Sequence, residues 1–150
     1  MKTICLYFEI HQNIQLKRYR FFDIGTDHYY YDDYEDERII EDVTERSYMP
    51  ALNAIGEMIK ENGKYFKVAF SLSGVGMEQL EIHAPQVIEK LQELNQTGCV
   101  EFLAEPYSHG LASLANEESF TKEVKRQCQK MKEYFGQEPK VLRNSSLIYS

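Results

Sequence analysis

The sequence predicts an α/β fold built on parallel strands. Three observations carry this expectation. Short apolar runs alternate with longer stretches whose apolar residues recur at helical spacing. The resulting order, β-α-β-α-β-α-β, argues for parallel strands joined by right-handed crossovers. Polar residues gather where each apolar run ends, which is where a rigid scaffold presents reactive side chains on loops.

The first strand is expected over residues 3–10. Ile4, Leu6, Phe8 and Ile10 alternate there with Cys5, Tyr7, Glu9 and His11. The period of two therefore gives one wholly apolar face and places Glu9 and His11 on the other. The connection from Gln12 to about Glu41 has no clear periodicity, and one this long is usually functional or mobile. It contains His28, Tyr29 to Tyr31 and an acidic run from Asp32 to Asp36, read either as an aromatic lid or as a solvated loop.

A helix is expected from about residue 41 to 60, with Ala51, Leu52, Ile55, Met58 and Ile59 as its apolar stripe and Asn62-Gly63 as its stop. The second strand is expected over residues 66–72, followed by the loop Ser71-Leu72-Ser73-Gly74. A helical stretch runs on to Leu94, with Pro85 opening its second part. The third strand is expected over residues 99–104. Asn116, backed by Glu117 and Glu118, caps the next helix in the sense that the macrodipole favours. Phe120, Val124, Cys128, Met131 and Phe135 form its inner face and Gly136 ends it. A fourth strand begins over residues 140–143. No internal repeat and no low-complexity linker interrupts this order.

The 150 residues are 43% hydrophobic and 27% charged, enough for one core. The net charge of -7 disfavours nucleic acid and anionic membrane surfaces as partners, and the basic cluster Lys17-Arg18-Tyr19-Arg20 is too small to reverse that. Three cysteines without a CxxC spacing read as free thiols of a reducing compartment. The first apolar run is interrupted too early for a signal peptide, and no run reaches membrane-spanning length. A cytoplasmic location is expected. Eleven tyrosines suit a neutral, sugar-like ligand, although core and rim packing accounts for most of them.

Several polar residues stand at strand ends. His11 and Gln12 follow the first strand. Glu101 and Glu105 share the inward parity of the third, ahead of Tyr107 and His109. A carboxylate on the inner face of a covered sheet is costly unless it is hydrogen-bonded or functional. For Glu101, a structural ion pair and a functional role are equally supported by the residues alone. A lone histidine is more often a satisfied core residue, but its place at a strand end raises the functional reading of His11 and His109. Glu9, His11 and His109 could together hold a metal. The chain shows neither an HxxxH spacing nor an Asp-Asp pair on the first strand, so no metal and no cofactor are expected.

These segments resemble glycoside hydrolase family 57, the α-amylase and 4-α-glucanotransferase family. His11-Gln12-Asn13 stands where the family has His-Gln-Pro, and Gly98-Cys99-Val100-Glu101 resembles its second motif. Arg46-Ser47-Tyr48-Met49-Pro50 and Phe70-Ser71-Leu72-Ser73-Gly74 resemble segments between the two, so the likeness covers nearly the whole chain in order. It implies the N-terminal half of a (β/α)7 barrel, an incomplete TIM-like barrel with parallel strands. A closed barrel of the general type needs about 250 residues. Residues 1–150 are thus expected to be the N-terminal part of the barrel domain, with a compact four-stranded α/β domain as the alternative.

The resemblance also implies a retaining mechanism on α-glucan, with His11 and Glu101 lining the cleft. The family's nucleophile is a glutamate after the fourth strand, and counting from Pro139-Lys140 its place falls on Ser146. Arg143-Asn144-Ser145-Ser146-Leu147-Ile148-Tyr149 resembles an α-amylase-like branch with serine there. Asn13 for proline and Glu9 for a histidine are further departures. The general acid of the family lies beyond residue 150, so the 150-residue chain alone is expected to be inactive.

A retaining glycosidase needs two carboxyl groups about 5–5.5 Å apart. Serine is neutral, and a nucleophilic serine needs an adjacent base, so Ser146 reads better as a plain loop hydroxyl. Glu105 is a weak substitute. The functional expectation is an α-glucan-active protein of carbohydrate metabolism with impaired hydrolysis. It would bind maltooligosaccharide through His11, Gln12, Glu101, Glu105, Tyr107 and His109, with Ser146 in the nucleophile position. The alternatives are a non-catalytic α-glucan-binding or regulatory protein and, more weakly, a metal-dependent polysaccharide deacetylase-like enzyme.

Overall fold

The computed structural model describes residues 4–26 and 28–148. Thr3, at the start of the expected first strand, and Tyr149, at the end of the last segment, lie outside the described residues.

Three parallel strands form one sheet in the order β1 (Leu6–Ile10), β2 (Val68–Leu72), β3 (Val100–Leu103). Tyr7, Ala69 and Glu101 share a row, and so do Glu9, Ser71 and Leu103. Alternation sends these two rows to one face. Val68, Phe70 and Leu72 of β2, with Val100 and Phe102 of β3, go to the other. That second face is the core. Phe70 and Phe102 are fully buried, and Phe102 stacks on Phe135 with ring centroids 4.1 Å apart. Burial of each such ring stabilises the fold by about 1.5–3 kcal/mol. The expected fourth strand is reduced to a single parallel bridge between Ala104 and Leu142, in which Ala104 N donates to Val141 O and Arg143 N to Ala104 O, both at 2.8 Å.

The helices that cover the core face are α1 (Asp33–Val43), α2 (Met49–Asn62), α3 (Gly74–His83), α4 (Pro85–Gln96) and α6 (Glu117–Phe135), with the short α5 (Ala112–Ala115) before the last. The expected helix over 41–60 begins earlier and is divided. Asp32 caps α1 by accepting from Glu35 N, and a wider turn over Thr44–Tyr48 precedes α2. The acidic run is therefore mostly helix rather than solvated loop. Asp36 is buried and accepts a hydrogen bond from Gln15 N at 2.8 Å. Pro85 divides α3 from α4 as expected, because the residue before proline is held out of the helical region and Ala84 lies at φ -150°.

Two details of the covering differ from the expected stripes. Leu6 and Phe8, on the apolar face of β1, remain more than a third exposed, and only Ile10 is buried. The inner face of α6 centres on Gln127, Met131 and Phe135, whereas Phe120, Val124 and Cys128 are half-buried. Gln127 is fully buried because its side chain is used. Its Nε2 donates to Leu72 O (2.9 Å) and Leu103 O (3.3 Å), and its Oε1 accepts from Glu105 N (3.4 Å). It ties the ends of β2 and β3 together where their backbone pairing stops.

Candidate strand-end site

The polar cluster sits at the carboxyl end of the sheet. Glu9 is the penultimate residue of β1, and His11 follows that strand. Glu105 stands two residues past β3, and Arg143 follows the Ala104–Leu142 bridge. Arg143 holds Glu9 in a bidentate pair, 2.7 Å from each nitrogen to its oxygen, and its Nη1 lies 3.5 Å from Glu105 Oε2. His109 lies between the same two carboxyl groups, with Nε2 3.3 Å from Glu9 and Nδ1 3.5 Å from Glu105, and its buried Nδ1 makes no hydrogen bond. Its ring stacks on His11 at 4.3 Å between centroids. His109 reaches that place from a left-handed backbone, φ 52°, at the end of a turn closed by its own N to Pro106 O. A bulky residue in this region is strained, and such strain collects at functional sites.

Ser73 fixes the other histidine. It caps α3, its hydroxyl accepting from Gly76 N at 2.9 Å, and lies 2.6 Å from His11 Nδ1. His11 Nε2 is 2.8 Å from Asn13 Oδ1. That oxygen can only accept, so the neutral ring carries its proton on Nε2 and takes the Ser73 hydroxyl proton at Nδ1. Gly76 allows this approach, because a Cβ there would stand 2.8 Å from Ser73 Oγ and 3.3 Å from His11 Cα.

Burial sets the electrostatics. Glu105 is fully enclosed, and desolvation raises its carboxyl to about 7, with Ser71 and Arg143 pulling the other way. Desolvation also lowers His109, helped by the neighbouring His11. The Glu9–Arg143 ion pair thus stands against a Glu105 whose burial favours the protonated acid and a His109 whose burial disfavours the imidazolium. Glu9, Glu105 and His109 bring three possible ligand atoms within 4.8 Å of one another. The Arg143 guanidinium, however, already pairs with Glu9 and stands beside Glu105, so it supplies the positive charge that a metal would bring.

Not every residue expected at the site lies in this cluster. His11, Glu105 and His109 do. Gln12 stands beside it, donating to the Tyr48 hydroxyl at 3.3 Å. Tyr107 points away. Its ring lies against Gly74, where a Cβ would come within 2.2 Å of it, under the Arg126 guanidinium at 3.6 Å, and its hydroxyl donates to Glu78. Glu101 faces the same side as Glu9 but four residues before Glu105, roughly 13 Å lower at the usual strand rise. It is exposed there and lines a cavity of about 740 Å³ with Lys64, Lys67 and Lys140. Ser146 is exposed on a turn with φ 52°, whereas Ser145 beside it is buried. No histidine or carboxylate is hydrogen-bonded to the Ser146 hydroxyl among the described residues. Reading the sequence site by site missed Arg143, Ser73 and Gln127. The serine that precedes a helix start directly after a strand was the available signal for Ser73.

Parallel strands covered by helices, with a histidine and carboxyl cluster at their carboxyl ends, define an α/β protein whose chemistry sits on that rim, as in α/β barrels. The chain belongs to glycosyl hydrolase family 57, whose sequence model matches residues 5–150. It is 35% identical over 122 residues to a protein of Methanocaldococcus jannaschii named "Putative alpha-amylase", covering 81% of this chain and 26% of that protein. Among solved structures, it resembles the 4-alpha-glucanotransferase of Thermococcus litoralis with a TM-score of 0.68 at 16% identity, covering 97% of this chain and 19% of that enzyme. The GH57-type branching enzyme of Pyrococcus horikoshii matches with a TM-score of 0.64 at 17% identity, covering 94% and 34%. These likenesses show the fold, three strands and the approach to a fourth of the family's (β/α)7 barrel. The chain spans about a quarter of the curated relative. Among the described residues, no helix is long and apolar enough to cross a membrane.

Proposed function

We propose that this chain is the N-terminal part of an α-glucan-binding barrel domain that has lost its hydrolytic power. The observation that carries the reading is the pairing of an organised strand-end cluster with an unassisted serine. Arg143 pairs with Glu9 and reaches Glu105, His109 stacks on His11 beside both carboxyl groups, and Ser73 fixes His11. Ser146 stands on the last described turn with no base at its hydroxyl. A retaining mechanism needs an anion to meet the oxocarbenium-like charge, and a neutral hydroxyl without an activating base does not supply one.

The family and the named activities of the relatives, amylase, glucanotransferase and branching enzyme, support α-glucan as the ligand class. In this reading the sugar meets His11, Gln12 and His109, and their part-exposed rings and amide support it. Glu105 is enclosed and acts through Arg143 and His109, and Glu101 and Tyr107 lie outside the contact. The reading gives the chain a binding or regulatory role in carbohydrate metabolism.

The test is maltooligosaccharide turnover by the complete polypeptide, natural and with Ser146→Glu. The reading predicts no turnover by the natural protein and measurable turnover by the variant. Turnover by the natural protein would overturn it and send the search for a nucleophile elsewhere.

A further inference from the structure

The longest connection of the chain rises directly from the cluster and is built as an arm. It leaves β1 at His11-Gln12 and returns into α1. Its two sides are tied by Lys17 N to Tyr30 O (2.9 Å), Asp32 N to Gln15 O (3.0 Å) and an antiparallel bridge between Leu16 and Tyr31. The buried Asp36 anchors its base through Gln15 N. At its far end the rings face outward. Phe21 and Phe22 are 81% and 85% exposed and meet edge to face, and Tyr29, Tyr30 and Tyr31 are each about half exposed.

We infer that this arm is a stacking platform for an α-glucan chain, continuous with the strand-end cluster and binding polymer beyond the reach of the cluster itself. The inference rests on the α-glucan reading above and extends it to a second contact region. Exposure alone does not select a sugar. The ligand class is taken from the α-glucan reading, and the contacts within the arm show that its surface is already ordered. The Tyr29 hydroxyl donates to both oxygens of Asp33 at 2.7 Å, Lys17 lies 4.7 Å over the Tyr29 ring, and the Tyr19 hydroxyl donates to Tyr29 O. These contacts hold Tyr29, and Phe21 and Phe22 hold each other edge to face; an arm already ordered lowers the cost of stacking a ligand on its exposed rings.

The charge pattern agrees. From Gln12 to Tyr34 the arm has three basic and four acidic residues, so it presents no single-sign field to a charged polymer. A neutral polyol with apolar C–H faces suits such a surface. Two contact regions on one chain raise the affinity for a polymer above that for a short oligosaccharide, because the second contact forms within the complex.

The test uses the complete polypeptide, natural and with Phe21→Ser and Phe22→Ser together. Retardation in gels containing glycogen is measured beside calorimetric titration with maltotriose. The expected result is about a tenfold or greater loss of glycogen affinity with maltotriose affinity unchanged. Unchanged glycogen affinity would overturn the inference and leave the α-glucan reading intact. A large fall in melting temperature would also overturn it, by showing that the rings pack against the rest of the polypeptide. So would conversion of a natural oligomer to monomers, which would assign the face to a second copy. If the natural protein bound neither ligand, both the platform and the α-glucan reading would fall.

Discussion

Glu101 and Glu105 leave the same strand region on the same face, four residues apart, and meet opposite environments. Glu101 is exposed among lysines at the amino end of β3. Glu105 is sealed beneath Arg143 and His109 at the carboxyl end, with its carboxyl raised to about 7. Residue type and parity are identical, so neither explains the contrast. Height along the strand does, because the βα loops, the Gln127 brace and the cap of α3 all converge at one end.

The sharpest way to break this comparison is to remove the guanidinium. Arg143→Ala leaves Glu9 and Glu105 facing each other without a cation, and breaking such a pair costs about 3–5 kcal/mol. Glu101→Gln should change stability by less than about 0.5 kcal/mol. Urea unfolding of the two variants measures both, and equal effects would erase the distinction between the two ends.

A slightly smaller effect depends on pH. The folded state raises Glu105 from 4.5 to about 7, so it favours the protonated acid. The stability this contributes is complete below the unfolded value and is lost as the pH rises through about 7. The shift corresponds to about 3 kcal/mol. Glu105→Gln stays neutral, so its unfolding midpoint should rise relative to the natural protein between pH 5 and pH 8. An offset that is the same at both pH values would contradict the burial argument. His109, whose protonation is disfavoured in the fold, works in the opposite direction and loses its contribution as the pH falls.

The smallest expected effect is at Ser73. Ser73→Ala removes the cap of α3 and the partner of His11 Nδ1, at a cost of about 1 kcal/mol. Histidine resonances would show a change at His11 that a substitution at the lower end of the sheet would not produce.

The fold was largely legible in the sequence. Alternation in β1 placed Glu9 and His11 on one face, Pro85 marked the break between α3 and α4, and Asn116 and Gly136 bounded α6. The early start of the helix, at residue 33, was not legible. It depends on Asp32 and on the buried Asp36 tying down Gln15, and an acidic run gives no sign of which carboxylate turns inward. The site was half legible. Strand-end position identified His11, Glu105 and His109, but parity gave Glu101 and Glu105 the same standing, and only the height of the loops separates them. Tyr107 was grouped with His109 by proximity in sequence. Gly74, with no side chain to keep the ring away, lets it turn outward between the helices instead. Arg143 was invisible because a single arginine after a short strand gives no indication of a partner 134 residues away.

The most direct measurement is calorimetric titration of the complete protein with maltotetraose, natural and with His11→Ala or Glu101→Gln. If binding belongs to the carboxyl end of the sheet, His11→Ala weakens it by about tenfold or more and Glu101→Gln changes it by less than about twofold. The reverse ranking would contradict the account and move the sugar to the end of the sheet where Glu101 stands.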